Sequence, residues 1–324
     1  MIDLIPYIYL VTGLILLSVA ADYLISGAVD LAQLLKVSPL VIGLTVIAFG
    51  TSLPELVVCV RAALNGAAGI AVGNVVGSNI ANILLIIGTG ALIFPISVNR
   101  NYFVRDSMIV LAASLIFVGL ALSGSFGRVS GTILFACIIA YLFFSYWQGR
   151  KHSASDRKTI ELKELDARKP ESPARACLCV FGGLIGVAVG AELLINGATT
   201  VARNLGVSDE VIGLTMVALG TSLPELATVV AAAAKKHTDV IVGNVLGSNI
   251  FNIFGVMGAT AIFADVPVSS QILSFDVWVM LAVTILLIPV MLSGNSLSRR
   301  EGGIFVTLYS LYIFIQYLGV ENLI

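Results

Sequence analysis

Long apolar runs, broken at intervals by glycine, proline, asparagine and charged residues, organise the whole chain. Crossing a hydrocarbon core about 30 Å thick takes about 20 apolar residues in a helix. Reading the runs against their breaks gives about ten candidate spans. Five lie near 5–34, 38–65, 70–95, 104–122 and 127–147, and five more near 177–203, 207–234, 240–264, 272–293 and 302–320. Within the third and eighth runs polar residues recur every fourth position, as Asn74, Ser78 and Asn82 and as Asn244, Ser248 and Asn252. That spacing puts each trio on one face of a helix.

The two halves of this pattern are copies. Residues 41–88 align without a gap to 211–258, and about 27 of 48 positions are identical at a constant offset. Gly27 and Gly197, and Asp22 and Glu192, extend the match upstream. An odd number of spans per half makes the second copy enter the membrane from the opposite side, the inverted-repeat plan of secondary transporters. The chain is therefore expected to be an all-α membrane protein of about ten transmembrane helices, two inverted five-helix repeats with broken helices at the midplane. The first repeat is expected over 1–147, a connecting loop or short amphipathic helix over 148–176, and the second repeat over 177–324.

Composition agrees. Of 324 residues, 58% are hydrophobic and 11% charged, against roughly a quarter charged in soluble domains. A lipid bilayer is thus the surrounding the chain requires, and the first apolar run lacks the marks of a cleaved signal. The charges are segregated. Arg150, Lys151, Arg157, Lys158, Lys163, Arg168, Lys169 and Arg175 crowd the central stretch, which the positive-inside rule places in the cytoplasm. Counting spans from there, Lys36, Arg100, Arg105, Lys235, Lys236, Arg299 and Arg300 also fall inside. Arg61, Arg128 and Arg203 fall outside, and both termini are external. No basic patch with aromatics offers a nucleic-acid surface. Cys59, Cys137, Cys177 and Cys179 read as small apolar side chains, and a monomer is the expected state.

The sequence GTSLPE occurs at Gly50–Glu55 and again at Gly220–Glu225. Proline inside a helix removes a donor and crowds the preceding turn, so a break is expected before Pro54 and Pro224. Ser52 with Glu55, and Ser222 with Glu225, have the form of capping boxes. Broken backbone at membrane depth survives only where protein or a watery cavity surrounds it. The freed carbonyls and the hydroxyls of Thr51, Ser52, Thr221 and Ser222 are hard oxygen donors suited to Na+ and Ca2+. An intramembrane carboxylate marks a functional site by default, and Glu55 and Glu225, with no lysine or arginine in either motif, need protons or metal ions to neutralise them. The plainer alternative is a protonated glutamate serving only as a helix cap. In the second element, Gly73 with Gly77 and Gly243 with Gly247 are small-residue pairs that admit another helix closely. Asn79 and Asn249 sit off the polar stripe, where packing or capping competes with ion contact.

These residues resemble the calcium/cation antiporter superfamily, in particular the sodium/calcium exchangers and their bacterial relatives, whose two alpha-repeats carry G-T-S-x-P-E and G-N-x-x-G-S-N patterns. The resemblance covers the ten-span plan and is specific across both repeats. It implies exchange of Ca2+ for Na+ by alternating access, with the long first and sixth spans moving against the rest and no cofactor beyond the transported ions. Carried over by position, the ion-binding residues are Ala48, Thr51, Ser52, Glu55, Ser78 and Asn82, with Ala218, Thr221, Ser222, Glu225, Ser248 and Asn252. The two alanines act through their carbonyls. Several exchangers carry Asp where this chain has Asn252, so its site is more symmetric: two carboxylates balance one Ca2+ or two monovalent ions. The central loop is too short for a separate Ca2+-sensing domain.

Proton coupling is the alternative for the same architecture, since carboxylates in a low-dielectric site can cycle between charged and neutral forms. An ion channel also tolerates glutamates at depth, but typically as symmetric rings. Transition metals would favour imidazole or thiolate, and His152 and His237 fall in predicted loops. The absence of HExxH and of any nucleophile–base pairing argues against an enzyme.

Overall fold

The computed structural model describes residues 4–35, 37–152, 172–204 and 218–318. Its elements are nearly all helical: α1 Ile5–Leu35, α2 Pro39–Leu64, α3 Gly69–Ile93, α4 Arg100–Ala121, α5 Arg128–His152 and α6 Pro173–Asn204. The second half continues with α7 Leu223–Ala234, preceded by a turn of helix at Ala218–Thr221, then α8 Thr238–Phe263, α9 Ile272–Ser293 and α10 Arg299–Leu318. Helix is forced on these segments because a backbone in lipid must satisfy its own hydrogen bonds. Eight of the described helices are long and apolar enough to cross a membrane. The helix α10 has 20 residues but begins on Arg299, Arg300 and Glu301 and carries three tyrosines and Gln316, which lowers its apolar content. Residues 205–217, the start of the expected seventh span, lie outside the described residues.

Helix ends follow local chemistry. Asn99 caps α4, its side chain accepting from the Asn101 N–H at 3.1 Å. Gly66 and Gly124 end α2 and α4 regions at φ 79° and 88°, a conformation that favours glycine. Both α5 and α6 run further than expected, to His152 and from Pro173, so His152 ends a helix rather than lying in a loop. Of the central stretch, 153–171 lies outside the described residues, with Arg157, Lys158, Lys163, Arg168 and Lys169; so do Lys36 and the side chains of Arg150, Lys151 and Arg203.

Layering is set by burial. The whole apolar window of α8 is buried and 72% of that of α3, against 28% for α5 and for α6. The two helices that carry the polar stripes are thus the centre of the bundle. Around them, α1 and α6 pair antiparallel at a separation only glycine allows: a Cβ on Gly190 would lie 2.7 Å from the Leu17 nitrogen, and one on Gly13 would lie 2.6 Å from the Leu194 nitrogen. At about 1.5 Å per residue these 31- and 32-residue helices exceed the hydrocarbon thickness, so they are long enough to span it at a tilt.

Two short ladders check the threading. The strand β1, Ile96–Ser97, pairs antiparallel with β4, Ser296–Leu297. The strand β2, Ser125–Phe126, pairs with β3, Val266–Pro267. The α3–α4 and α9–α10 loops must therefore share one side of the membrane, and the α4–α5 and α8–α9 loops the other. Inverted repeats require this parity: β3 follows β1 at the offset that relates the halves, and β4 follows β2 at one residue more.

Candidate functional site

The site forms where the two GTSLPE breaks face the two polar stripes. Helix α2 breaks at its midpoint: the first part ends at Thr51, Ser52 takes φ −85° and ψ 4°, and helix resumes at Leu53 with proline in its first turn. Ser222 repeats this at φ −89° and ψ 2° before α7. Pro54 and Pro224 supply no N–H, which leaves the Gly50 and Gly220 carbonyls short of a helical partner. The expected capping boxes do not form, because neither serine makes a side-chain cap bond. A capping residue needs an extended backbone, and ψ near zero turns the hydroxyl away. Ser52 instead donates across the repeats to Glu225 Oε1 at 3.2 Å.

That contact joins the halves around two buried acids. Glu55 and Glu225 are each 1% exposed, lie within electrostatic reach of one another, and are joined by no salt bridge among the described residues. Further bonds cross the same boundary. Thr51 Oγ1 donates to Asn244 Oδ1 at 3.4 Å and Thr221 Oγ1 to Asn74 Oδ1 at 3.3 Å, a pair of equivalent bonds exchanged by the repeats. Asn82 Nδ2 donates to Asn249 Oδ1 at 2.9 Å. Asn79, by contrast, turns its amide to the Val75 carbonyl at 2.7 Å.

Many polar atoms here have no protein partner. Both Glu55 oxygens, Glu225 Oε2, the hydroxyls of Ser78, Ser222 and Ser248, and Oδ1 of Asn82 and Asn252 are buried without a hydrogen bond. Buried polar groups are normally satisfied, and a cluster of oxygens without protein partners is a donor set that fits a cation. The donors are hard oxygens, with no cluster of three or more His, Cys, Asp or Glu among the described residues, which suits Na+ and Ca2+ better than transition metals. The Ala48 carbonyl accepts the Ser52 N–H at 3.1 Å and lies 3.5 Å from the Thr51 hydroxyl, so one lone pair at least is already engaged. Ala218 heads the turn before Ser222. Every residue expected at the site is among those described, and ten of them are fully or almost fully buried polar side chains.

Local helical geometry follows the stripes. Wider π-type turns occupy Asn82–Ile86 and Phe251–Val256, starting at or one residue before the equivalent asparagines. Such bulges occur frequently at functional sites. Phe49 stacks edge-on against Phe251 at 4.9 Å, tying the break in α2 to the bulge in α8.

Sequence reasoning placed Asn74 and Asn244 on the stripes without foreseeing that their Oδ1 atoms face the threonine hydroxyls of the other repeat. It missed Asp106 and Asp276, a buried pair at the same repeat offset but apart from the central acids. Asp106 pairs with Arg105 at 2.7 Å. Asp276 accepts from Tyr312 at 3.0 Å and from Gln316. Asp22, whose surroundings the sequence left open, is held by Lys235 at 2.6 Å.

Comparison with known proteins gives the same family from both halves. The sodium/calcium exchanger protein family matches residues 5–147 and 175–318. Among relatives, a putative antiporter, CaxA, of Alkalimonas amylolytica is 35% identical over 97% of this chain and 98% of its own length. The sodium/calcium exchanger MaX1 of Methanosarcina acetivorans is 31% identical over 96% of this chain and 98% of its own. Solved structures of the sodium-calcium exchanger NCX_Mj superpose with a TM-score of 0.83 at 34% identity, covering 96% of this chain and 98% of that one. Its work is transport and not catalysis, the ions being cargo and no cofactor being required. A duplicated, inverted bundle closing on two unpaired carboxylates, matched along nearly its whole length, makes this chain a member of the sodium/calcium exchanger family of membrane cation antiporters.

Proposed function

We propose that the protein exchanges Ca2+ for Na+ across the cell membrane by alternating access, with both termini external and the 148–176 segment cytoplasmic. The observation that carries this reading is the set of orphaned oxygens around Glu55 and Glu225. Two buried carboxylates without a counter-charge are strongly unfavourable, and Ca2+, which takes six to eight oxygens in flexible geometry, neutralises both at once. Glu55 and Glu225 serve as bridging Ca2+ ligands. Thr51, Ser52, Thr221, Ser222, Ser78, Ser248, Asn82 and Asn252, with the Ala48 and Ala218 carbonyls, complete separate Na+ positions. A hydroxyl that donates its proton elsewhere, as Thr51 and Thr221 do, keeps its lone pairs free for a cation. The likeness to relatives known as sodium/calcium exchangers supports Na+ as the coupling ion.

Orientation is supported by charge. Arg299 donates to the Ile93 carbonyl at 3.0 Å and Lys236 lies over Phe94 at 5.6 Å, which gathers cations at the β1–β4 end, the end assigned to the cytoplasm. The test is Ca2+ uptake into vesicles under an imposed Na+ gradient or an imposed pH gradient. Uptake driven by Na+ at constant pH is expected; uptake driven by the pH gradient alone would overturn Na+ coupling in favour of protons.

A further inference from the structure

We propose that Cys59 is a positioning residue that makes the two half-sites unequal, by fixing through Asn74 the direction in which the Thr221 hydroxyl points. The proposal rests on the reading of Thr221 as a cation ligand. Cys59 is fully buried on α2, one helical turn beyond Glu55 and on the same face. Its sulfur accepts the Asn74 Nδ2–H at 3.3 Å, and Asn74 Oδ1 accepts the Thr221 hydroxyl at 3.3 Å. The chain Cys59–Asn74–Thr221 therefore runs from a first-repeat thiol to a second-repeat ligand.

A carboxamide has nearly the same shape after a half-turn, so only the partners at its two ends decide which way it faces. Sulfur is a weak acceptor and its thiol a weak donor, but at the amide end it takes an N–H and so selects the orientation with Oδ1 toward Thr221. The hydroxyl then donates its proton to an acceptor, Asn74 Oδ1, and meets no N–H from that side chain, so its lone pairs remain for an ion. With the amide reversed, the NH2 would donate to Thr221, occupy a lone pair and set positive hydrogens beside the cation.

The second copy lacks this control. Position for position, Val229 stands where Cys59 does and is equally buried, and the Asn244 Nδ2 is left without a partner. Asn244 Oδ1 still takes the Thr51 hydroxyl at 3.4 Å, but that hydroxyl also has the Ile47 carbonyl at 3.1 Å and the Ala48 carbonyl at 3.5 Å within reach. The Asn74 amide is thus anchored by a thiol with its oxygen toward Thr221, whereas the Asn244 amide has no such anchor. Two ligand sets identical in sequence become inequivalent through one neighbouring residue.

The experiment is a thermal-shift titration of the purified protein with Na+ and, separately, with Ca2+, since an ion that binds the folded state raises Tm with its concentration. Cys59→Val copies the residue that the other repeat already accommodates. It is expected to raise the half-saturating Na+ concentration about fivefold, the equivalent of one hydrogen bond, while moving that for Ca2+ less than about twofold. Cys59→Ser, whose hydroxyl accepts the same amide N–H, is expected to restore the Na+ value. An unchanged Na+ titration in Cys59→Val overturns the proposal, and so does an equal weakening of both ions that serine does not rescue, which marks a packing role. Thr221→Val separates the two readings: if it leaves the Na+ titration unmoved, the assignment of Thr221 as a ligand fails, whereas a shift there without one in Cys59→Val removes the thiol alone.

Discussion

At the scale of residues, the chemistry turns on two carboxylates that no protein cation neutralises. Removing one charge from a buried, compensated group costs about 3–5 kcal/mol, about two to four orders of magnitude in affinity. Glu55→Gln and Glu225→Gln are accordingly each expected to reduce Ca2+ uptake in vesicles to background while the amount of inserted protein is unchanged; near-normal uptake in either would remove that glutamate from the site. Asn252 tests the charge balance. Its amide is buried with neither polar atom partnered, so Asn252→Asp adds an acid where a cation can reach it. One more positive charge per cycle is then expected on the monovalent leg, measured as a steeper dependence of Ca2+ flux on membrane potential. These residues were legible from the sequence because an acid in an apolar run, repeated at a fixed offset, has few structural explanations. What Ser52 does was not legible: the capping pattern is a local signal, and a partner from the other repeat outcompeted it.

Among elements, the breaks, the bulges and the glycines act together. Prolines predicted the breaks, but nothing in a hydropathy pattern marks the π-type turns at Asn82 and Phe251, since they arise from how the stripe helices fit their neighbours. The Gly243–Gly247 pair was expected to admit a helix, and α2 is the helix: a Cβ on Gly247 would lie 2.6 Å from the Leu44 carbonyl and 2.7 Å from Ala48 Cβ. Residues 211–217, the repeat counterparts of 41–47, lie outside the described residues. Gly247→Ala is expected to force α2 from α8 and to lower stability by about 1–3 kcal/mol, with a matching loss of flux, in denaturation and uptake measurements. Gly119→Ala, on an exposed face of α4 with nothing within 4 Å, is expected to change stability by less than about 1 kcal/mol. Both Gly50 and Gly220 abut α6, where a Cβ would lie 2.4 Å from a methyl of Leu184 or Ile195. One long helix therefore braces both breaks, an asymmetry that two near-identical motifs conceal.

For the whole molecule, the ladders turn the inverted repeat into a sidedness that can be measured. In a background with the four native cysteines replaced, Asn99→Cys and Asn295→Cys are expected to label only from the cytoplasmic side. Ser123→Cys and Ser269→Cys are expected to label only from outside. Labelling of all four from one side would break the parity that β1–β4 and β2–β3 impose. A second asymmetry is global: Lys235, at the end of α7, holds Asp22 and Ser26 of α1 at 2.6 and 2.7 Å, whereas Glu192, the repeat counterpart of Asp22, is exposed. The sequence alone determined the membrane class and the ten-span inverted plan and singled out the acids and hydroxyls proposed for the site, because hydropathy, proline and duplication act along the chain and survive without knowledge of neighbours. Only the tertiary structure decided which oxygens stay unpaired, that Asn74 and Asn244 face the threonine hydroxyls of the other repeat, and that Cys59 and Val229 stand at equivalent positions beside those asparagines. Hydrogen-bond direction and steric contact depend on what faces a residue across the bundle, and in an inverted repeat that neighbour comes from the other half of the chain.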